Sequence, residues 1–135
     1  MKFWHHFVFG DIDNDGDIDV LVTNNNGPVR LLLNQIGNRN HWLGLRLVGK
    51  NGRDMLGARV DVVVTKNHIL RRRARTDGSY LSASDPRVVV GLGRVTQVES
   101  VRVQWPDGSV EEWRAPAIDH YVTLKQGTGK ANSER

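Results

Sequence analysis

The sequence predicts an all-β protein: an antiparallel β-sandwich with an N-terminal strand pair. Two observations predict this fold. Apolar residues alternate with a period of two along short segments. Turn-forming residues interrupt these segments about every ten residues, a spacing typical of antiparallel sandwiches. No segment carries a convincing helical pattern of apolar residues.

Nine short segments carry the strand pattern. The first two, 18–23 and 29–33, flank the turn-forming run at 24–28, which contains three asparagines, a glycine and a proline. The alternation then resumes after a polar stretch at 34–40. The later predicted strands cover 42–48, 58–65, 69–76, 87–92, 98–105, 109–113 and 120–125.

The polar stretch at 34–40 predicts a boundary between two parts of the chain. Residues 1–39 are too few to bury a core of their own, whereas residues 40–126 are enough for one sandwich domain. The glycine-, serine- and lysine-containing end, residues 127–135, predicts a disordered tail.

The composition is that of a globular protein, with 39% hydrophobic and 25% charged residues in 135. No window reaches the roughly 18 consecutive apolar residues that a membrane span needs. The first residues lack the apolar region of about 7–15 residues that marks a signal peptide. The absence of cysteine excludes disulfides, thiolate zinc sites and cysteine nucleophiles.

Acidic residues are concentrated near the start of a chain whose net charge is +4. Residues 1–40 hold three basic residues against five aspartates, a sum of −2, so the remainder carries +6. The aspartates occupy alternate positions: Asp11, Asp13, Asp15, Asp17 and Asp19. Carboxylates this close repel one another, and a bound cation would remove the repulsion.

The segment 11–19 fits the pattern D-x-D-x-D-G-x-x-D, which predicts a Ca²⁺ loop. We expect side-chain ligation by the first, third, fifth and ninth positions, with the carbonyl of Asp17 as a further ligand. The loop is not an EF-hand, because Val22 occupies the twelfth position, where a bidentate glutamate is required. The alternative is a series of Asx-turns without a metal.

Two family resemblances extend this interpretation. The segment 9–22, FGDIDNDGDIDVLV, resembles the FG-GAP/VCBS repeat, whose copies form the blades of integrin-type β-propellers and bind calcium in this loop. Motifs at 40–43, 57–60, 78–82, 91–93 and 103–108 resemble the ASPIC/UnbV domain, which usually follows a run of such repeats in secreted or surface proteins. The resemblance implies an extracellular or cell-surface recognition or adhesion module that meets a protein or a glycan.

The resemblance implies that the N-terminal strand pair comes from one such propeller-like repeat, truncated at its start. One blade cannot close a propeller. Residues 1–34 are therefore predicted either to pack on the sandwich or to pair with a second copy of the chain as a homo-oligomer.

Two weaker groups of candidate ligand-binding residues remain. Arg71 and Arg73, with Arg75, share one face of a predicted strand, which is either a solvated face or a site for phosphate or an acidic polymer. No aromatic residue is interleaved with them, so nucleic-acid binding is not predicted. Trp42 and Trp105 are either core residues or part of a platform for sugar rings.

No catalytic constellation is recognisable. The serines do not stand in a G-x-S-x-G motif, and the histidines have no zinc-ligand spacing. The sequence therefore favours a non-catalytic, calcium-binding recognition module. The alternatives are a metal-dependent hydrolase of phosphate or sugar esters that uses the aspartate loop, and a carbohydrate-binding module.

Overall fold

The structure, a computed structural model, describes residues 5–131. Within this range the chain forms eleven strands and one turn of 3₁₀-helix, Gly37–Arg39. The strands are β1 His5–Gly10, β2 Asp19–Asn24, β3 Arg30–Leu32, β4 His41–Val48, β5 Arg59–Thr65, β6 His68–Arg73, β7 Val88–Gly93, β8 Ser100–Gln104, β9 Val110–Arg114, β10 Tyr121–Lys125 and β11 Lys130–Ala131. None of the helical structure described is long and apolar enough to cross a membrane.

Two of the three sheets form the sandwich. One has the order β10-β4-β7 and the other the order β11-β9-β8-β5-β6. Alternate residues of both sheets point into one apolar core, as the period-two pattern predicts. Core residues from the two sheets include Leu43, Leu45, Val88, Val90, Leu124, Val60, Val62, Val101 and Val103. The predicted all-β sandwich is confirmed.

One pairing of the sandwich differs from the antiparallel prediction. Strand β10 pairs with β4 in parallel, with Tyr121 opposite Gly44. The direction of a strand depends on how the chain returns to the sheet, and the alternation of apolar residues is the same for either direction. The sequence pattern therefore places β10 without giving its direction.

The third sheet is N-terminal and has the order β1-β2-β3. The predicted strand pair corresponds to β2 and β3, and β1 pairs with β2 as an additional strand that the sequence did not predict. Among residues 6–10, 19–24 and 30–32 of these strands, Asp19 has the only buried side chain. None of the apolar side chains in these ranges is buried. This sheet therefore contributes nothing to the apolar core, and polar contacts hold it to the sandwich.

The predicted disordered tail is wrong for residues 127–131. The buried carboxylate of Glu111 accepts hydrogen bonds from the backbone N–H groups of Gly127 and Gly129, at 2.8 Å each. Lys130–Ala131 then pairs with β9. A side chain on a preceding strand thus orders the end of the chain, which composition alone does not reveal. Residues 132–135 lie outside the described residues.

Candidate metal centre

The aspartate loop connects β1 to β2 and is closed by the pairing of those strands. Gly10, the last residue of β1, lies opposite Asp19, the first residue of β2. The antiparallel register therefore brings the two ends of the loop together. Nine residues, 11–19, are confined to a tight turn at this end of the N-terminal sheet.

Asp11 organises the inside of the loop. Its Oδ1 accepts a hydrogen bond from the backbone N–H of Asp15 at 3.1 Å, and its Oδ2 accepts one from Gly16 at 2.9 Å. The side chain of Asp15 in turn accepts a hydrogen bond from the N–H of Asp17 at 2.9 Å. These bonds fold the loop back on itself, so that carboxylates from alternate positions face a common centre.

Three of the predicted ligands converge. One carboxylate oxygen from each of Asp11, Asp13 and Asp15 lies within 4.8 Å of the other two. Oxygens that share a Ca²⁺ ion at 2.3–2.6 Å can stand up to about 5 Å apart, so these residues fit one calcium coordination sphere. Their spacing satisfies the geometric requirement for shared ligation.

The electrostatics of the loop also favour a cation. Loss of hydration raises the pKa of Asp13, and the neighbouring charges of Asp15 and Asp19 raise it further. The negative form of Asp13 is thus disfavoured by its surroundings. A cation between the carboxylates would reverse that effect.

Asp19 and Asp17 are placed differently. The carboxylate of Asp19 is fully buried and accepts hydrogen bonds from the backbone N–H groups of Ile12 and Asn34, both at 2.9 Å. Asp19 therefore joins the loop to the segment after β3. The buried side chain of Asp17 lies against Gly37, and its Oδ2 has no hydrogen-bond donor within residues 5–131. The predicted ligation by Asp19 and by the Asp17 carbonyl stays a prediction.

Tyr121, at the start of β10, ties the loop to the sandwich. Its hydroxyl donates a hydrogen bond of 2.7 Å to Oδ2 of Asp11. Burial raises the pKa of Tyr121 far above its usual value, and the bond to Asp11 raises it further. The hydroxyl consequently stays protonated and remains a donor to the carboxylate.

Arg87 makes a second link between the loop and the sandwich. Its guanidinium donates hydrogen bonds to the backbone carbonyl of Asp11 at 2.7 Å and to the side chain of Asn14. It is held by the carboxylate of Asp85 at 2.8 Å and lies 4.1 Å from the ring centroid of Tyr121. The guanidinium of Arg87 therefore contacts the backbone of the loop, the carboxylate of Asp85 and the ring of Tyr121 at the same time.

Trp42 covers the loop from the sandwich side. Gly16 has φ = 93°, and a Cβ atom there would overlap the indole of Trp42. The indole also packs edge-on against Tyr121, with ring centroids 5.2 Å apart. Glycine in the D-G step is thus required both by the backbone conformation and by the close approach of the ring.

The two tryptophans considered for sugar binding are in the interior. Trp42 is 8% exposed and Trp105 is 1% exposed, with Trp105 packed edge-on against Trp113. A sugar ring stacks on an open aromatic face, which neither residue offers. The structure thus favours their role as packing residues.

Arg71 and Arg73 are exposed on β6, and the register confirms that they share a face. Arg71 lies opposite Asp61 and Arg73 opposite Arg59, whereas Arg72 lies opposite the fully buried Val60. Arg71 and Arg73 therefore lie on the outer side of the five-stranded sheet, and Arg73 also lines a cavity that reaches Asp11 and Ile18 of the aspartate loop.

A family model described as "ASPIC and UnbV" matches residues 48–131. The chain belongs to the ASPIC and UnbV family. Its relatives include cartilage acidic protein 1 of Mus musculus, 33% identical over 107 residues, and the Homo sapiens protein of that name, 32% identical over 107 residues. Each match covers 76% of this chain and 16% of the relative, so the chain spans about a sixth of these proteins.

The matched residues and the aspartate loop belong to different segments of this ASPIC/UnbV chain. Arg87 and Tyr121 lie within the matched segment, whereas residues 11–19 precede it. The resemblance of the N-terminal segment to an FG-GAP/VCBS repeat stays a prediction. What the geometry adds is that residues of the ASPIC/UnbV domain hold the loop by direct hydrogen bonds.

Sequence reasoning did not find Tyr121, Arg87 or the role of Trp42. Tyr121 is 110 positions from Asp11 in the chain. No local motif links them, because their contact depends on where β10 and β1 lie in the fold. A tyrosine at the start of a strand is also a common packing residue, so its identity alone carries no signal.

Proposed function

We propose that this ASPIC/UnbV chain is a non-catalytic recognition module of extracellular proteins and that Ca²⁺ bound in its aspartate loop stabilises it. The observation that supports this proposal is the convergence of Asp11, Asp13 and Asp15 in a loop that Tyr121 and Arg87 hold against the sandwich. The metal would have a structural role, joining the N-terminal sheet to the domain.

The donor set suits calcium better than zinc or a redox metal. All the candidate groups are hard oxygen donors, and Ca²⁺ takes six to eight of them. Asp11 retains acceptor capacity after its three hydrogen bonds, because a carboxylate offers about four lone-pair positions. The Asp17 carbonyl, the Asp19 carboxylate and water would complete the coordination.

A structural role fits the surroundings of the loop better than a catalytic one. Asp11 is 1% exposed, and the polar groups nearest to it are engaged with the loop itself. A catalytic metal keeps a coordination position open to substrate, whereas this loop is covered on the sandwich side by Trp42. We therefore place recognition ahead of hydrolysis.

The extracellular assignment is supported by the family and by the relatives. Both relatives carry the name cartilage acidic protein 1, and cartilage is a tissue rich in extracellular matrix. We extend that location to this chain, and with it the expectation that its partner is a protein or glycan of the cell surface or matrix.

The test of the metal site is a calorimetric titration of Ca²⁺ into chelator-treated protein. We expect saturable binding that Asp11→Ala and Asp13→Ala abolish or weaken by at least about tenfold, because each removes one charged ligand. Glu99→Ala removes an exposed carboxylate outside the loop and is the matched control. Unchanged binding in both aspartate variants would contradict the proposal.

Asp13→Asn provides a second readout of the same site. Without calcium this variant should unfold at a higher temperature than the unsubstituted protein, since it removes repulsion between carboxylates. With calcium the order should reverse. A lower melting temperature in both conditions would indicate that Asp13 has a packing role instead. If the protein hydrolysed a phosphate or sugar ester and Asp11→Ala abolished that turnover, hydrolysis would replace recognition as the proposed function.

We also propose that the N-terminal sheet mediates association between copies of the chain. Large apolar side chains on and beside its strands are exposed, among them Phe7, Phe9, Leu31, Leu32 and Leu33. The register places Phe7, Phe9 and Leu32 on one face of this sheet and Leu31 on the opposite face, and exposed apolar side chains occur at protein interfaces. Light scattering after size exclusion should show a dimer that Leu31→Ser/Leu33→Ser reduces to a monomer. A monomer at high concentration before substitution would reject this.

A further inference from the structure

A groove of about 480 Å³ lies at the β6 edge of the five-stranded sheet. Every residue that lines it is charged. Its arginines are Arg59, Arg71, Arg72, Arg73 and Arg75. Asp61 and Asp77 supply the acidic groups, which leaves a net charge of +3 in a chain whose total is +4. Half of the net +6 that residues 41–135 carry is thus concentrated in one groove.

The positive charge in the groove is poorly compensated. Arg59 on β5 lies directly opposite Arg73 on β6, and like charges in that position repel. Within residues 5–131 neither arginine has an ion-pair partner, and the same holds for Arg75. Arg71 reaches Asp61 only at 3.6 Å, and its own side chain is 75% exposed. An exposed pair of this kind contributes little.

This arrangement fits an extended polyanion better than a single small anion. Arg71 and Arg73 project from the same strand face about 7 Å apart, and Arg59 adds a third positive group beside Arg73 on the next strand. The positive groups are therefore distributed along a line. Guanidinium groups bind oxoanions such as sulfate through paired hydrogen bonds, which arginine forms better than lysine.

The residues that line the groove also favour one class of polymer over others. Among residues 5–131, no aromatic residue lines the groove, although stacking on aromatic rings is what usually holds single-stranded nucleic acid. No apolar side chain lines it either, whereas protein interfaces usually depend on buried aromatic or aliphatic anchors. We propose that this groove binds a sulfated polysaccharide. The inference supplies a ligand class for the recognition function proposed above and rests on it.

The experiment measures binding of size-defined heparin oligosaccharides by calorimetry over a series of salt concentrations. The double variant Arg59→Ala/Arg73→Ala should bind at least about tenfold more weakly at low salt, and its salt dependence should fall by about two ion equivalents. The matched control, Arg53→Ala/Arg94→Ala, removes two exposed arginines outside the groove and should change the affinity by less than about twofold.

Folding of the double variant is checked by thermal unfolding, and Arg59→Gln/Arg73→Gln keeps the side chains polar if alanine proves disruptive. Equal losses in the groove and control variants would overturn the proposal, because binding would then follow net charge alone. Desulfated heparin should bind far more weakly than heparin. An oligonucleotide or polyglutamate that competes more strongly than heparin would also overturn it.

The same samples are titrated with Ca²⁺, which separates this inference from the proposed calcium role. Normal calcium binding without any heparin binding would reject the proposed polysaccharide site and leave the calcium proposal standing. Heparin binding that survives chelation while calcium binding is absent would support the groove and reject the calcium loop.

Discussion

At the scale of single residues, the bond between Tyr121 and Asp11 is one of the contacts that join the two parts of the molecule. A hydroxyl from β10 donates to a carboxylate that follows β1, across 110 positions of sequence. Asp11 is buried and accepts two backbone hydrogen bonds, so the tyrosine supplies a third donor to a carboxylate that is 1% exposed to water.

Tyr121→Phe should lower the free energy of unfolding by about 1–2 kcal/mol at neutral pH, because a hydrogen bond to a charged group is lost. The pKa of Tyr121 is raised in the fold above its unfolded value near 10. Its contribution is therefore present below pH 10 and declines as the pH rises above that value towards the folded pKa.

Urea unfolding between pH 7 and pH 11 measures this difference. The gap in stability between the unsubstituted protein and Tyr121→Phe should be constant up to about pH 9 and shrink above about pH 10. A gap that widens above pH 10 would show that the hydroxyl does not stay protonated in the fold.

At the scale of elements, the β1–β2 loop depends on a close contact with β4. Gly16 has a left-handed backbone conformation, and the indole of Trp42 occupies the space next to its Cα. The loop can approach the sandwich this closely only because the residue has no side chain.

Gly16→Ala should therefore destabilise the protein more than the same substitution does at another glycine with a positive φ. Gly108 is the matched control, since its φ of 87° is similar and a Cβ there meets no atom within 4 Å. Gly108→Ala should cost about 1–2 kcal/mol from backbone strain, and Gly16→Ala at least about 1 kcal/mol more from overlap with the ring. Calcium affinity should fall in Gly16→Ala and stay unchanged in Gly108→Ala. Equal effects on stability would contradict the packing of Trp42 on the loop.

At the scale of the whole molecule, stability is unevenly distributed. The apolar core lies between the two sheets of the sandwich, where Val60, Val62, Val101 and Val103 are fully buried. The N-terminal sheet has no buried apolar side chain in its described strands and depends on the loop and on polar contacts. Regions of that kind open more readily than the core.

Hydrogen exchange should reveal this difference. The backbone amides of β5 and β8 should exchange most slowly, and those of β1 and β2 faster, since their opening exposes little apolar surface. Calcium should slow exchange in β1 and β2 by more than in β5 and β8, because its proposed site is the loop between the first two strands. Uniform protection along the chain without calcium would contradict this picture.

The sequence by itself determined the all-β class and the alternating carboxylates of the aspartate loop. Both follow from local order: the alternation of apolar residues places strands, and carboxylates at alternate positions around Gly16 favour a cation. The shared face of Arg71 and Arg73 follows from the same alternation. These features depend only on residues that are close to one another in the sequence.

The tertiary structure decided which groups meet. It set the parallel direction of β10. It placed the buried Asp19 where its carboxylate accepts hydrogen bonds from the backbone N–H groups of Ile12 and Asn34. It also brought the backbone of residues 127–131 to the carboxylate of Glu111. It also placed Tyr121 and Arg87 on the loop and Arg59 opposite Arg73. Contacts between residues far apart in the chain depend on strand order and register, which no local pattern encodes. The aspartate loop was therefore visible in the sequence, whereas its attachment to the sandwich became visible only in the fold.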